Sequence, residues 1–529
     1  MRFFNTAGPV RCKKHYCLPP LERFDLDEVL DLIDQEKYFA LHAPRQTGKT
    51  SCLLALMEHL NKSEKYNCLY INVESAQSIR EDIFKGIRMI LNEMARRAKI
   101  HLKDKSLEKI CSDILERNSE DALNDALTTW AMESDSPLVL LIDEIDSLVG
   151  DTLISVLRQL RAGYDRRPET FPHSIIMCGV RDVRDYRIHS KEKEIITGGS
   201  AFNIKSESLR LGDFSKEEVE YLYQCHTEET GQRFDSDVID LVWEFTKGQP
   251  WLVNALAYEV CFKMKKNRDG SVLITSGMTE QAKENIILRR ETHIDQLIDK
   301  LKEERVKRVI QPMLSGEDMK DMDIDDIKYL TDLGLICRTK KGPAISNQIY
   351  MEVIPRELTY ITQENLMPRF DPDWYIRETG KIDMTKLLKE FQEFFRENSE
   401  IWIERFSYKE AGAQLLLQAF LQRIANGGGF IDREYGLGRG RTDLLVKWPY
   451  KKGIEKAVQK TAIELKIRYG SLEKTIKEGF EQIREYMDRA GTKDGHLVIF
   501  DRNKTRTWEE KIFYRQEDCQ GIKIDVWGM

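Results

Sequence analysis

The sequence predicts a multidomain α/β chain, and three stretches carry that prediction. Residues 38–54 (YFALHAPRQTGKTSCLL) read as a strand, a short loop and a helix that opens at Gly48-Lys49-Thr50. Residues 137–146 (PLVLLIDEID) are an apolar run that ends in acids, as a strand buried on both faces of a parallel sheet would. From Phe391 onward the pattern runs helix, strand, strand, strand, helix, strand. Alternating strands and helices argue for a layered fold with a mostly parallel sheet. A chain of 529 residues exceeds one core, so roughly two to four domains are expected.

The first stretch is nearly the phosphate-binding loop G-x-x-x-x-G-K-[ST]. A helix N-terminus offers unpaired N–H groups and the positive end of a dipole, which suits a polyphosphate. Gly48 lets the backbone approach the phosphates, Lys49 reaches the β and γ phosphates of ATP, and the Thr50 hydroxyl holds Mg²⁺. Ala43, Arg45, Gln46, Thr47 and Ser51 complete the expected ATP-binding set. Ala43 stands where the motif has its first glycine, and it costs something if the loop needs a positive φ there. The acidic pair Asp143-Glu144 falls at the C-terminal end of its strand, where parallel sheets bind ligands. Asp143 is expected to hold Mg²⁺ through water, and Glu144 to polarise the attacking water.

The remaining elements follow in order. Leu18-Pro19-Pro20 breaks the chain before an amphipathic helix over residues 24–33, which either docks on the sheet or covers a bound base. Residues 68–73 read as a strand, 80–99 and 122–132 as helices, and 153–162 as a helix exposing Arg158 and Arg161. Residues 174–180 form a strand that delivers Arg181, read as a γ-phosphate contact or a surface arginine. Residues 202–211 read as another strand, and 213–257 as helical around Gly248-Gln249-Pro250, which is either a base contact or a helix–helix turn. Helices over 281–301, 303–313 and 324–333 lead to a short hairpin with a basic tip, Lys340-Lys341. That pattern fits a winged helix whose wing either touches DNA phosphates or belongs to a lid. Residues 361–384, with Pro368, Pro372 and Gly380, read as a linker.

In the C-terminal part, residues 414–424 read as a helix. Residues 430–435, 441–447 and 462–467 read as strands, with a polar loop before the last of them. Residues 472–490 are a helix and 496–500 a fourth strand. Glu464 and Lys466 lie two apart on a strand and share a face, and Asp443 on the neighbouring strand can meet them. Two carboxylates suit Mg²⁺. A lysine beside them can orient the attacking water, a set that fits metal-assisted hydrolysis of a phosphodiester.

These residues resemble known families. Asp443, Glu464-Leu465-Lys466 and the helical pair Gln482 and Tyr486 resemble the RecB-like branch of the PD-(D/E)xK nucleases. The resemblance implies a restriction-endonuclease-like domain over residues 385–529, with catalytic Asp443, Glu464, Lys466, Gln482 and Tyr486. It also implies a metal-binding acid on the first helix, for which Glu410 is the candidate and Gln414 the rival. Thr442 replaces the family's proline. APRQTGKT, LLIDEID, Arg181 and Gly248-x-Pro250 resemble the STAND and archaeal-type branch of AAA-like P-loop ATPases. That resemblance implies a P-loop NTPase with helical lid over residues 1–265, a winged helix over 266–360 and a linker over 361–384. In it Arg181 contacts the γ-phosphate and Pro250 lies near the base.

Composition bounds the partners. Net charge is −7 with 32% charged residues, so any nucleic-acid contact comes from local patches. The N-terminus lacks the apolar stretch of a secretory signal. No run approaches ~18 apolar residues, so no membrane span is expected. The ten cysteines show no paired spacing. Cys12 and Cys17 around His15 suggest a metal knot, with ordinary free cysteines as the competing reading. The cytoplasm is the expected compartment. The expected function is an ATP-regulated, Mg²⁺-dependent DNA nuclease. Its architecture resembles prokaryotic genome-defence or mobile-element effectors that oligomerise on an unknown trigger. The alternatives are an ATP-switched nucleic-acid-binding scaffold that does not cleave, and a DNA motor using Arg158, Arg161, Arg166 or Arg167 in trans.

Overall fold

Strands that are apolar throughout have to be covered on both faces, and the centre of the five-stranded sheet is built from them. The computed structural model describes residues 1–79, 82–117, 119–181, 188–189, 195–196, 207–315, 322–340, 342–366, 375–403, 412–425, 429–436, 441–452, 455–468, 470–503, 505–519 and 521–529. They fall into two compact units, Met1–Ile286 with Asp332–Gly334, and Ile287–Thr331 with Leu335–Met529.

The first unit opens with a two-residue parallel pair, β1 (Phe3–Phe4) and β2 (His15–Tyr16), then α1 (Leu26–Asp34). There follow β3 (Tyr38–His42), α2 (Lys49–Lys62), β4 (Asn67–Asn72), α3 (Ile83–His101), α4 (Ser106–Glu116) and α5 (Ala122–Glu133). Next come β5 (Leu138–Asp143), α6 (Gly150–Ala162), β6 (Ser174–Gly179), the short antiparallel pair β7 (Ile188–His189) and β8 (Ile195–Ile196), and β9 (Glu207–Arg210). Helices α7 (Lys216–Thr230), α8 (Val238–Thr246) and α9 (Pro250–Tyr258) follow.

The sheet order is β4-β5-β6-β3-β9, with every pair parallel. Strands β5 and β6 are buried along their whole length. One face, with Leu69, Leu140 and Met177, packs on α3, α5 and α6. The other, with Phe39, Leu141 and Cys178, packs on α1 and α2. Ser215 starts α7 with a reciprocal capping box to Glu218.

Helix α10 (Ser276–Arg289) leads into the second unit. That unit holds α11 (Thr292–Lys300), α12 (Glu304–Ser315), α13 (Ile324–Asp332) up to its last residue, which belongs to the first unit, the antiparallel hairpin of β10 (Ile336–Thr339) and β11 (Gly342–Ile345), and α14 (Gln348–Leu366). After α15 (Met384–Ile403) and α16 (Gly412–Ala425) comes a second sheet. Its strands are β12 (Phe430–Gly436), β13 (Arg441–Lys452), β14 (Glu455–Ile467), β15 (Gly495–Phe500), β16 (Phe513–Cys519) and β17 (Ile522–Gly528). Their order is β12-β13-β14-β15-β17-β16. Helix α17 (Leu472–Ala490) joins β14 to its parallel neighbour β15 and seats Ile476, Ile483 and Met487 on Ala462, Leu497 and Ile499. The four-residue α18 (Trp508–Lys511) precedes β16.

Several expectations are corrected. The helix expected over 281–301 is two, because Arg290 takes φ 47° and Glu291 starts α11. The polar stretch before β14 is no loop: β13 and β14 form a long antiparallel ribbon paired out to Lys452 and Glu455. Cys12 and Cys17 are bonded to each other, with Cα atoms 5.5 Å apart, rather than free or holding a metal. Helices α4 and α15 and strands β16 and β17 carry no expectation from the sequence. Most of the strand expected over 202–211 lies outside the described residues; β9 is its end. Among the described residues no helix is long and apolar enough to cross a membrane.

Candidate functional site

The chain leaves β3 and turns into α2 through residues 43–48. The positive φ angles in this turn fall on Gln46 (60°) and Gly48 (98°). Ala43 is not among the residues with positive φ; it is fully buried, and its N–H donates to Gly179 O at 3.2 Å. An alanine therefore fits there without the strain the motif departure suggested. Gly48 caps α2 in the left-handed conformation that glycine adopts freely. Lys49 is 5% exposed and donates to Ala43 O and Pro44 O, both at 2.9 Å. The Thr47 hydroxyl donates to Pro44 O at 2.8 Å. Arg45 points outward.

Asp143 is fully buried at the end of β5. Its Oδ2 accepts from the Thr50 hydroxyl at 2.7 Å and from the Tyr70 hydroxyl at 2.9 Å. Its Oδ1 accepts from the Glu144 N–H at 3.0 Å. Thr50 and Asp143 lie 93 residues apart in sequence. They meet because β6 alone separates β3 from β5 in the sheet. Glu144 follows at φ 57°. Burial raises its carboxyl above the ordinary range, Asp146 and Asp143 add to the rise, and Lys49 and Arg45 oppose it. Hydroxyl and carboxylate oxygens at one point suit Mg²⁺, a hard cation. Among the described residues no three His, Cys, Asp or Glu side chains converge as a metal cage.

A cavity of about 150 Å³ opens beside the loop. Thr47, Gly48 and Ser51 line one side, Pro250 and Trp251 another, and residues 5–8 a third. Val10 N–H donates to Ser51 Oγ at 2.9 Å, and Trp251 Nε1 donates to Thr6 O at 2.9 Å. The N-terminal segment is thus fastened to both sides. Gly248 has φ 80°, and a Cβ there would lie 2.0 Å from Phe214 O. Phe214 in turn carries Arg23, whose guanidinium lies 4.5 Å from the ring centroid and donates to Thr47 O at 3.3 Å. Sequence reasoning missed Arg23, Tyr70 and Phe214. None lies within a motif, and each reaches the site through the packing of distant elements; Trp251 directly follows the expected Pro250.

Arg181 is no surface arginine: its side chain is 11% exposed, and Nε lies 3.5 Å from Asp332 Oδ2. Of the four arginines considered for action in trans, Arg158 and Arg161 are exposed. Arg166 donates to Asn124 and Thr128, and Arg167 lies 3.4 Å from the Tyr164 ring centroid and donates to Tyr164 O, so both are committed within the fold.

In the second unit, β13 pairs with β14 so that Asp443 stands directly opposite Glu464. The Asp443 side chain and all of Glu410 lie outside the described residues. Glu464 is fully buried. Lys466 Nζ lies 2.9 Å from Glu464 Oε1 and donates to Gln482 Oε1 on α17. Neither Glu464 oxygen has a hydrogen-bond partner among the described residues. Tyr486 is buried one turn beyond Gln482, with the Arg489 guanidinium 5.1 Å from its ring centroid. Gln414 is buried on α16, where Gln418 and Gln422 accept from the buried Arg433 of β12.

No curated protein matches the chain. Among solved structures it is similar to a Walker-type ATPase of Pyrococcus abyssi, at 15% identity over 66% of this chain and 99% of that one, with a TM-score of 0.45. It is similar to Cdc6p from Pyrobaculum aerophilum at 14% identity, over 65% and 93%, with a TM-score of 0.35. It is also similar to the RuvB Holliday junction branch migration motor of Thermotoga maritima at 12% identity, over 63% and 96%, with a TM-score of 0.34. Residues 28–354, more than half of the chain, match the AAA-like domain family and contain the loop, Asp143, Arg181 and Pro250. The chain carries an ATPase-type P-loop domain and belongs to the AAA-like domain family.

Proposed function

We propose that the chain is an ATP-regulated, Mg²⁺-dependent nuclease that cleaves DNA phosphodiesters. ATP would place its phosphates on the first turn of α2, with Lys49 turning from the loop carbonyls to them. Thr50 and Asp143 would hold Mg²⁺, which supplies charge neutralisation between the β and γ phosphates. Glu144 would orient the attacking water. Arg181 would contact the γ-phosphate, and Pro250 and Trp251 would flank the base in the cavity beside Gly48. Residues 266–360 would form a winged helix, and residues 385–529 the PD-(D/E)xK domain.

The observation that carries the nuclease reading is Glu464. A carboxylate with no exposure, whose balancing contact among the described residues is the Lys466 ammonium 2.9 Å away, is costly. Its cost is offset when a cation completes the site. Asp443, opposite it in register, is the second carboxylate for Mg²⁺, which supplies Lewis-acid polarisation of a phosphoryl oxygen. Lys466, steadied by Gln482, would orient the water and offset phosphate charge. In this reading the chain is a genome-defence or mobile-element effector whose cleavage depends on the nucleotide state.

The test is a cleavage assay on linear, circular and single-stranded DNA with Mg²⁺, run beside an ATP-turnover assay. Asp443→Ala should abolish cleavage and leave ATP turnover at the wild-type rate. Cleavage that persists in that variant removes Asp443 from the site.

A further inference from the structure

Asp143 accepts two hydroxyl donors on one oxygen, and nucleotide chemistry accounts for only one of them. Thr50 stands on α2, where its oxygen would serve the metal. The second donor, Tyr70, comes from the neighbouring strand, 73 residues away in sequence. In the β4–β5 register Tyr70 sits opposite Leu141, so it shares the face that carries Leu141 and Asp143. That is the face covered by α2. Tyr70 is 2% exposed, and the Arg97 guanidinium lies 5.3 Å from its ring centroid.

The geometry points to Tyr70 as a positioning residue for Asp143, holding the carboxylate in one rotamer when the Thr50 hydroxyl oxygen turns to a bound Mg²⁺. Tyr70 touches neither nucleotide nor metal in this role; it acts through Asp143. A metal-ligating carboxylate is commonly held by such a partner, whose removal costs about 10- to 100-fold in metal affinity or activity. The inference rests on the nucleotide-site reading above and adds a residue to it.

The experiment is a thermal-shift titration of the full chain, first with ADP and a chelator, then with ADP and rising Mg²⁺. Tyr70→Phe keeps the ring and removes only the hydroxyl. Tyr38→Phe is the control: it also removes a buried hydroxyl of this sheet, one that donates to Pro172 O at 2.8 Å. Tyr70→Phe should keep the ADP shift in chelator and need about tenfold more Mg²⁺ for the further shift. Tyr38→Phe should titrate as wild type does. An unchanged Mg²⁺ titration in Tyr70→Phe overturns the proposal, and so does an equal change in Tyr38→Phe. A wild-type chain that ADP does not shift at all overturns the nucleotide reading, and this inference falls with it.

Discussion

Asp146 lies two residues beyond Glu144 and is the largest charged influence on it, after burial itself. A neighbouring carboxylate disfavours a second negative charge, so it raises the Glu144 pKa. A water-orienting Glu144 has to be ionised, so ATP turnover should fall as pH drops through that raised value. Asp146→Asn removes the like charge, which lowers the Glu144 pKa. The acid limb of the pH–rate profile should then move to lower pH, while turnover at neutral pH stays near wild type. A limb that stays in place would mean that Glu144 does not set it. At this scale the loop and the acid pair were legible because their chemistry is local: Lys49 and Thr50 adjoin Gly48, and Glu144 adjoins Asp143. Tyr70 and Arg23 were not legible. Tyr70 reaches Asp143 only because β4 neighbours β5, and Arg23 reaches Thr47 only because its segment folds back over the loop.

Between elements, the join of α8 to α9 shows what one missing side chain does. At Gly248 the chain passes so close to Phe214 that Phe214 N–H donates to Gly248 O at 2.8 Å. Gly248→Ala adds a positive-φ penalty of about 1–3 kcal/mol. It also drives Cβ into the Phe214 carbonyl, so the backbone there has to shift. That shift disturbs the ring beneath Arg23 and, through it, the carbonyl of Thr47. The variant should lose stability by more than the φ penalty alone and bind nucleotide more weakly. Chemical denaturation and a nucleotide titration check both; full affinity in a destabilised variant would separate this turn from the site. The paired glycine and proline were legible as a feature, though not as one that supports Arg23. The β13–β14 ribbon was misread for a different reason. Its outer half carries Pro449 and the lysines Lys451, Lys452 and Lys456, so in sequence it reads as a polar turn, although Trp448 there is buried.

For the whole chain, the two candidate sites lie in separate compact units, Lys49 in one and Lys466 in the other. An influence of ATP on cleavage is then a coupling free energy between sites, and coupling in binding is reciprocal. If ATP changes affinity for DNA by some factor, DNA changes affinity for ATP by the same factor, typically about 5- to 150-fold. Glu464→Gln permits that measurement without cleavage, with nucleotide affinity read in the presence and absence of DNA. Lys49→Ala should leave cleavage at its nucleotide-free level and make it indifferent to ATP. Lys466→Ala should lose cleavage and keep ATP turnover. Cleavage that still responds to ATP in Lys49→Ala would place the control outside the α2 loop. ATP affinity unchanged by DNA in Glu464→Gln, alongside DNA affinity unchanged by ATP, would leave two activities on one chain with no thermodynamic link in binding. Any remaining response of cleavage to ATP would then have to act on the chemical step after DNA is bound, because a ligand with equal affinity for two states shifts neither.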